Sequence, residues 1–220
     1  MRTDRLPRVS PLGCSALLFE AQEDFGDAAQ QRVWHVAEMA KTWPGVCETV
    51  PGMNNLMVVF DPDATSAQML VREVHTAWQS EPRPTTGAKL VELPVIYGGA
   101  GGPDLAALAD HAGLDVDAVV RLHSEALYTV YFLGAHPGFA YLAGLDPQLH
   151  APRRSEPRLQ VAAGTVAIGG MQAGVIAQTT PSGWQLIGRT EQSFFDPAAE
   201  PPSLLAAGDS VRFRPIGIER

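Results

Sequence analysis

The sequence predicts two domains of different class: a small α+β domain over residues 1–90, then a mainly β barrel domain over residues 91–220. Two observations carry this. Up to Tyr97 the apolar residues switch between a helical period and a strand period, whereas after Leu127 every apolar run is short and bounded by Gly or Pro. The composition, 45% apolar and 18% charged over 220 residues, is that of a chain able to bury such cores.

In the first domain Cys14 to Glu20 reads as a strand and Asp27 to Lys41 as a helix with Val33, Val36, Ala37 and Ala40 on one face. Trp43-Pro44-Gly45 stops that helix. Val46 to Val50 and Asn55 to Asp61 are strands joined by a hairpin turn at Pro51-Gly52-Met53-Asn54. Thr65 caps a second helix whose apolar face uses Leu70, Val71, Val74 and Trp78, and Glu81 to Gly87 breaks it. Lys89 to Tyr97 is a further strand, interrupted by Pro94. The resulting order, β-α-β-β-α-β, is the ferredoxin-like split motif.

The second domain begins with two short helices. Asp104 to His111 closes on Gly113, and Asp115 caps a helix that runs to Ala126. Leu127 to Leu133 alternates as a strand, and short strands with Gly or Pro turns follow as far as Val211 to Phe213, the pattern of a small barrel or sandwich.

A formal charge of -8 argues against nucleic acid as the partner, since affinity for a phosphate backbone rests on clustered Lys and Arg. Cys14 and Cys47 are too few for a disulfide scaffold and lack zinc-ligand spacing, which fits a reducing cytoplasm, and no metal site is expected. No signal peptide is read in Met1 to Pro11 and the run after it, and no apolar run approaches the ~20 residues of a membrane span. Lys41 and Lys89 are the only lysines, so the half after Lys89 has no P-loop lysine, Schiff-base lysine or Ser/Lys amidase centre. Anion recognition there falls to arginine.

Three segments interleave Gly, Pro, Arg and aromatic residues in a way that neither a helix period nor a strand period requires, marking either a ligand or partner site or barrel turns: Gly134 to Leu142, Pro152 to Gln172, and Thr180 to Thr190. Arg153 and Arg158, next to Pro152 and Pro157, and Arg189 are candidates for clamping a carboxylate or phosphoryl group, because proline stiffens the backbone that carries them. Gln172 is a candidate for orienting an amide or carbonyl. His123 is placed either to move a proton or to bond a carbonyl at a helix end. Pro137, Gly138, Phe139, Tyr141 and Trp184 form a pocket wall or a partner face, with barrel core as the alternative for Trp184. The Gly98 to Gly102 loop lies between a strand and a helix, where glycine-rich loops hold phosphate, but no Gly-Lys-Ser/Thr follows and Asp104 puts negative charge at the helix start. Ser182 is outside any Gly-x-Ser-x-Gly elbow, which argues against a serine hydrolase.

Leu122-His123-Ser124, Tyr128, Pro137-Gly138-Phe139-Ala140-Tyr141-Leu142, Pro152-Arg153, Pro157-Arg158, Ala163-Gly164-Thr165-Val166, Gln172 and Trp184 with Leu186-Ile187-Gly188-Arg189-Thr190 together resemble the KipI family. That family is also called the B-type subunit of 5-oxoprolinase and, in older labels, allophanate hydrolase subunit 1. Pro51-Gly52-Met53-Asn54-Asn55-Leu56 and Gly208-Asp209 with Val211 and Phe213 fit it as well, so the resemblance covers nearly the whole chain. It implies a cyclophilin-like barrel in the second domain. It also implies partners, a KipA-like C-type subunit and a third subunit, with which the chain opens 5-oxoproline to glutamate at the expense of ATP with magnesium. Other branches imply alternatives: inhibition of a sensor histidine kinase, or a carboxyltransferase-like role in a urea carboxylase-type system. Under the first reading Arg153, Arg158 and Arg189 clamp anions while Gln172 and His123 orient groups or shuttle protons. Ala135, Ile176 and Ser182 stand where the family usually has Phe, Tyr and Gly.

Overall fold

The computed structural model describes residues 5–82 and 88–220. The chain divides into two compact units, Met1–Gly87 and Ala88–Arg220. The helix breaker read at Glu81 to Gly87 falls from residue 83 onward outside the described residues.

The first unit is an antiparallel sheet with two helices. Its elements are β1 (Arg8–Leu12), β2 (Ala16–Glu20), α1 (Asp27–Ala40), β3 (Val46–Pro51), β4 (Asn55–Phe60) and α2 (Ala67–Gln79). The strands lie in the order β1-β2-β4-β3. Period-two alternation puts Leu17 and Phe19 of β2 and Leu56, Val58 and Phe60 of β4 on the buried face. Val33, Val36 and Ala37 of α1 and Leu70, Val74 and Trp78 of α2 close over them. The cap of α2 is Ser66, whose hydroxyl accepts the Met69 N–H at 3.3 Å, one residue after the expected Thr65.

Two expectations for this unit need correction. The strand expected at Lys89 to Tyr97 as the sixth element is a barrel strand, and the outer strand of the first sheet is β1, which precedes β2. A period-two pattern tells that a strand has a buried face but not which sheet takes it.

The second unit opens with β5 (Leu90–Gly98), α3 (Leu105–Ala112) and α4 (Val116–Glu125). Gly113 ends α3 in the left-handed region (φ 65°), and Asp115 caps α4 by accepting the Ala118 N–H at 2.7 Å. Then follow β6 (Tyr128–Leu133), β7 (Ala140–Ala143), β8 (Arg158–Val161), β9 (Thr165–Gly169), β10 (Gln172–Val175), β11 (Thr180–Ser182), β12 (Gln185–Arg189) and β13 (Ser210–Glu219). Seven of these strands close a barrel in the order β10-β7-β6-β13-β5-β12-β9, while β8 and β11 pair with each other as a separate two-stranded flap. All barrel pairs are antiparallel except β13 with β5.

Alternation along the barrel strands sorts side chains into two layers. Val166 and Ile168 of β9, Ala173 and Val175 of β10 and Ile187 of β12 face the interior core with Leu93, Val95, Tyr97, Tyr128 and Phe213, and α3 and α4 add Leu105, Leu108, Val119 and Val120. Ala167 and Leu186 belong instead to a second cluster, with Phe139, Val161, Ile176 and Trp184, on the other side of the β9-β12 wall. That second layer places most of the candidate residues.

Candidate functional site

Where the flap meets the barrel, a cleft of about 760 Å³ is lined by Arg158, Gln160, Thr165, Arg189, Thr190 and Gln192 among others. Arg158 reaches Asp104 with both ends of its guanidinium, Nη1 donating to Oδ2 at 2.9 Å and Nη2 to Oδ1 at 2.7 Å. Asp104 is 7% exposed; its Oδ2 also accepts the Leu186 N–H at 2.7 Å, and Arg154 Nη1 stands 3.6 Å from Oδ1. Arg189 donates to Glu219 Oε1 at 3.2 Å. Two of the three arginines expected to clamp an anion therefore line one cleft, each beside a carboxylate of this same chain, while Arg153 lies outside its lining.

The glycine-rich loop beside the cleft is filled by protein. A Cβ on Gly98 would strike the Glu219 carbonyl, one on Gly99 the Glu219 carboxylate, and one on Gly102 the Ile187 carbonyl; on Gly101 it would lie 2.7 Å from the Arg189 side chain. Gly98 and Gly99 also hold φ of 76° and 56°, which favours glycine for backbone reasons. These glycines let β12 and β13 approach, and the carboxylates of Glu219 and Asp104 flank the loop, so its residues do not fit the triphosphate of a nucleotide. Among the described residues no three His, Cys, Asp or Glu side chains gather as metal ligands.

The remaining candidates meet around Trp184. Its indole is 6% exposed and lies against Gly169, where a Cβ would come 2.5 Å from Cε2. Phe139 and Tyr141 meet the indole edge to face at 5.5 and 5.9 Å between centroids, and Phe132 stacks on Tyr141 at 4.3 Å. The guanidinium carbon of Arg153 is 5.7 Å from the indole centroid. Gln172 is the cross-strand partner of Gly169 and shares a strand face with Gly174, whose missing Cβ points at Phe139 and Trp184. Its side chain therefore belongs to the indole layer. Gln172 is 7% exposed, and its Nε2 has no acceptor among the described residues. Pro137 is exposed at the end of this layer, and Gly138 is buried with φ 78°, because a Cβ there would sit 2.6 Å from the Phe194 carbonyl oxygen.

His123 lies elsewhere. It is wholly buried in the barrel interior, with Nδ1 and the Tyr97 hydroxyl hydrogen-bonded at 2.8 Å and its ring 4.4 Å from that of Phe213. The Tyr128 hydroxyl donates to its carbonyl at 3.0 Å. Burial lowers its pKa to about 3 and raises those of Tyr97 and Tyr128, in Tyr128 with smaller contributions from Tyr97 and Asp146. The ring is neutral near pH 7 and is not among the residues that line the cleft.

The structure thus brings together Arg158 with Arg189, and Arg153, Phe139 and Tyr141 with Trp184, sets Gln172 beside Gly169 on the same strand face, and leaves His123 apart from both groups. The central residue missed in the sequence is Asp104, noted there only for its charge at a helix start. Its partner Arg158 is 54 positions away, a separation at which no local pattern signals a contact.

A closed barrel with a polar cleft and an arginine-capped aromatic layer, preceded by an α+β unit, defines a two-unit protein of the barrel class. The chain belongs to the family described as carboxyltransferase domain, subdomain C and D, whose model matches residues 7–205. It is 47% identical to the B-type subunit of 5-oxoprolinase from Escherichia coli O157:H7 over 204 residues, 93% of this chain and 94% of that protein. It is 38% identical to the 5-oxoprolinase subunit of the same type from Haemophilus influenzae over 211 residues, 96% of this chain and 99% of that protein. Among solved structures, TTHA0988 is similar with a TM-score of 0.79 and 36% identity; the match covers 91% of this chain and 39% of that longer one.

Proposed function

We propose that this chain is the B-type subunit of an ATP-dependent 5-oxoprolinase, acting with a KipA-like C-type subunit and a third subunit to hydrolyse 5-oxoproline to glutamate. The observation that carries this reading is the 47% identity to a protein of that name over 93% of this chain and 94% of the relative. In the same reading the α+β unit is the ferredoxin-like domain of the family over residues 1–90, with β1 at the sheet edge, the barrel is its cyclophilin-like domain over residues 91–220, and the complex works in the cytoplasm.

The geometry supports a recognition role. The cleft offers guanidinium, amide and hydroxyl donors from Arg158, Arg189, Gln160, Gln192 and Thr165, and its described lining contains no histidine, cysteine or lysine. Donors of this kind orient a substrate and stabilise developing negative charge, and the remaining catalytic groups come from the partner subunits. Because the glycine loop does not fit a nucleotide, ATP and magnesium belong to a partner in this reading, and no step of their chemistry passes through these residues.

Co-expression of the chain with the two partner subunits, followed by an assay for ATP-dependent release of glutamate from 5-oxoproline, tests the proposal. The full set is expected to turn over and the chain alone to be inactive. Substantial turnover by the lone chain would refute it. A second reading, a carboxyltransferase-like component of a urea carboxylase-type system, draws on the family description itself. It predicts carboxyl transfer from biotin by the assembled complex and no glutamate release.

A further inference from the structure

We propose that Arg153 and Gln172, set on the indole layer of Trp184, form a subsite for a small ring bearing both a carbonyl and a carboxylate, the chemistry of a lactam acid such as 5-oxoproline. The identity of the ring rests on the function proposed above.

The first observation is how the arginines are partnered. Arg158 and Arg154 face Asp104, and Arg189 faces Glu219, so a carboxylate entering the cleft competes with one already there. Arg153 is exposed and meets no carboxylate among the described residues; its guanidinium is held over an indole. A cation resting on a ring yields readily to a carboxylate, which matches its planar fork with two charge-assisted hydrogen bonds.

The second is the unmet donor of Gln172. Its Nε2 is buried and has no acceptor among the described residues, in a side chain 7% exposed. Leaving a buried amide donor unpaired is costly, and a carbonyl oxygen from a ligand is the acceptor it fits.

The third is proximity with stiffness. Ala151 and Gly170 form a two-bonded bridge, Gly170 N–H to the Ala151 carbonyl at 2.8 Å and Ala151 N–H to the Gly170 carbonyl at 3.2 Å. Gln185 Nε2 donates to the Pro152 carbonyl at 2.7 Å and the Arg154 N–H to the Gly183 carbonyl at 2.7 Å. The backbone carrying Arg153 is therefore pinned on both sides, two residues beyond the antiparallel bridge to Gly170. Trp184 links them: Arg153 rests over its ring, and the ring lies against Gly169, the cross-strand partner of Gln172. A preorganised cation, an apolar plate and an amide donor in one patch select the carboxylate, the ring and the carbonyl of one small molecule.

The discrimination follows from what each competitor leaves unpaired. Proline has the ring and carboxylate but brings no acceptor for Gln172. 2-Pyrrolidinone has the ring and carbonyl but nothing for Arg153. A site built around a buried donor rejects the ligand that fails to pair it.

The test titrates the full chain and the assembled complex with 5-oxoproline, proline and 2-pyrrolidinone, following tryptophan fluorescence, with Trp184→Phe identifying the responding ring. Arg153→Gln and Gln172→Met are compared with Arg153→Lys, and thermal melts confirm that each variant is folded. We expect 5-oxoproline to bind about tenfold or more tighter than either competitor. Arg153→Gln should erase the preference over 2-pyrrolidinone, Arg153→Lys should retain part of it, and Gln172→Met should erase the preference over proline. In the complex, each loss should raise KM for 5-oxoproline on the order of tenfold. Equal affinity for the three probes, or no binding to either the chain or the complex, overturns the subsite. If the complex turns over 5-oxoproline while folded variants leave KM and probe preference unchanged, the subsite fails and the proposed function stands. If the binding pattern appears but the complex releases no glutamate, the function fails and the subsite stands.

Discussion

Arg158 and Asp104 face each other through two hydrogen bonds at 2.9 and 2.7 Å, and the same carboxylate accepts the Leu186 N–H at 2.7 Å. One acidic side chain at the start of α3 thus ties the flap strand β8 to the barrel strand β12. The pair is asymmetric, since Asp104 also has the backbone N–H and Arg154 while Arg158 has Asp104 as its carboxylate.

The asymmetry predicts unequal costs for breaking the pair. Asp104→Asn leaves a partly buried guanidinium without its counter-charge and should destabilise the barrel by about 2–3 kcal/mol in urea denaturation. Arg158→Gln leaves a carboxylate that still has donors and should cost about 1 kcal/mol. Equal losses would show that the backbone bond and Arg154 carry no weight.

His123 gives the barrel a pH dependence of definite sign. Its pKa falls from 6.5 to about 3 through burial, so the unfolded chain takes up a proton on acidification that the folded chain refuses. The contribution is whole above the unfolded value and is lost as pH falls from about 6.5 toward 3. Between pH 7 and 5 the loss is about 2 kcal/mol. His123→Gln, which can still bond the Tyr97 hydroxyl, should remove that part of the slope. An unchanged slope in the variant would assign the acid sensitivity to another group.

Gly169 and Gly170 separate contact from backbone strain at adjacent positions. A Cβ on Gly169 would lie 2.5 Å from the Trp184 ring, whereas on Gly170 it would meet nothing within 4 Å but would occupy a φ of 66°. Gly169→Ala should therefore shift Trp184 emission and cost about 1–3 kcal/mol. Gly170→Ala should cost about 1 kcal/mol and leave the emission unchanged. Emission shifts of similar size in both variants would contradict the placement of the indole.

Local chemistry is legible in the sequence wherever neighbours in the chain create it. The helices expected from Asp27, Asp104 and Asp115 appear within one or two residues of those starts, because caps and helical periods are local signals. β1 is not legible, because Arg8 to Leu12 contains Pro11 and its burial does not alternate. The candidate residues stand out as a set of polar and aromatic side chains, but their grouping does not. That Arg158 neutralises Asp104, and that His123 turns into the core, depends on pairings across 54 positions and on which face of a helix the barrel covers.

The barrel closes through β13, which lies parallel to β5 on one side and antiparallel to β6 on the other. During synthesis, β5 and β6 leave the ribosome more than 70 residues before the strand that fills the gap between them. Until Ser210–Glu219 arrives, two apolar strand edges wait unpaired, the condition under which chains associate with one another. Removing that last strand should yield a nascent product that aggregates or is recovered bound to chaperones.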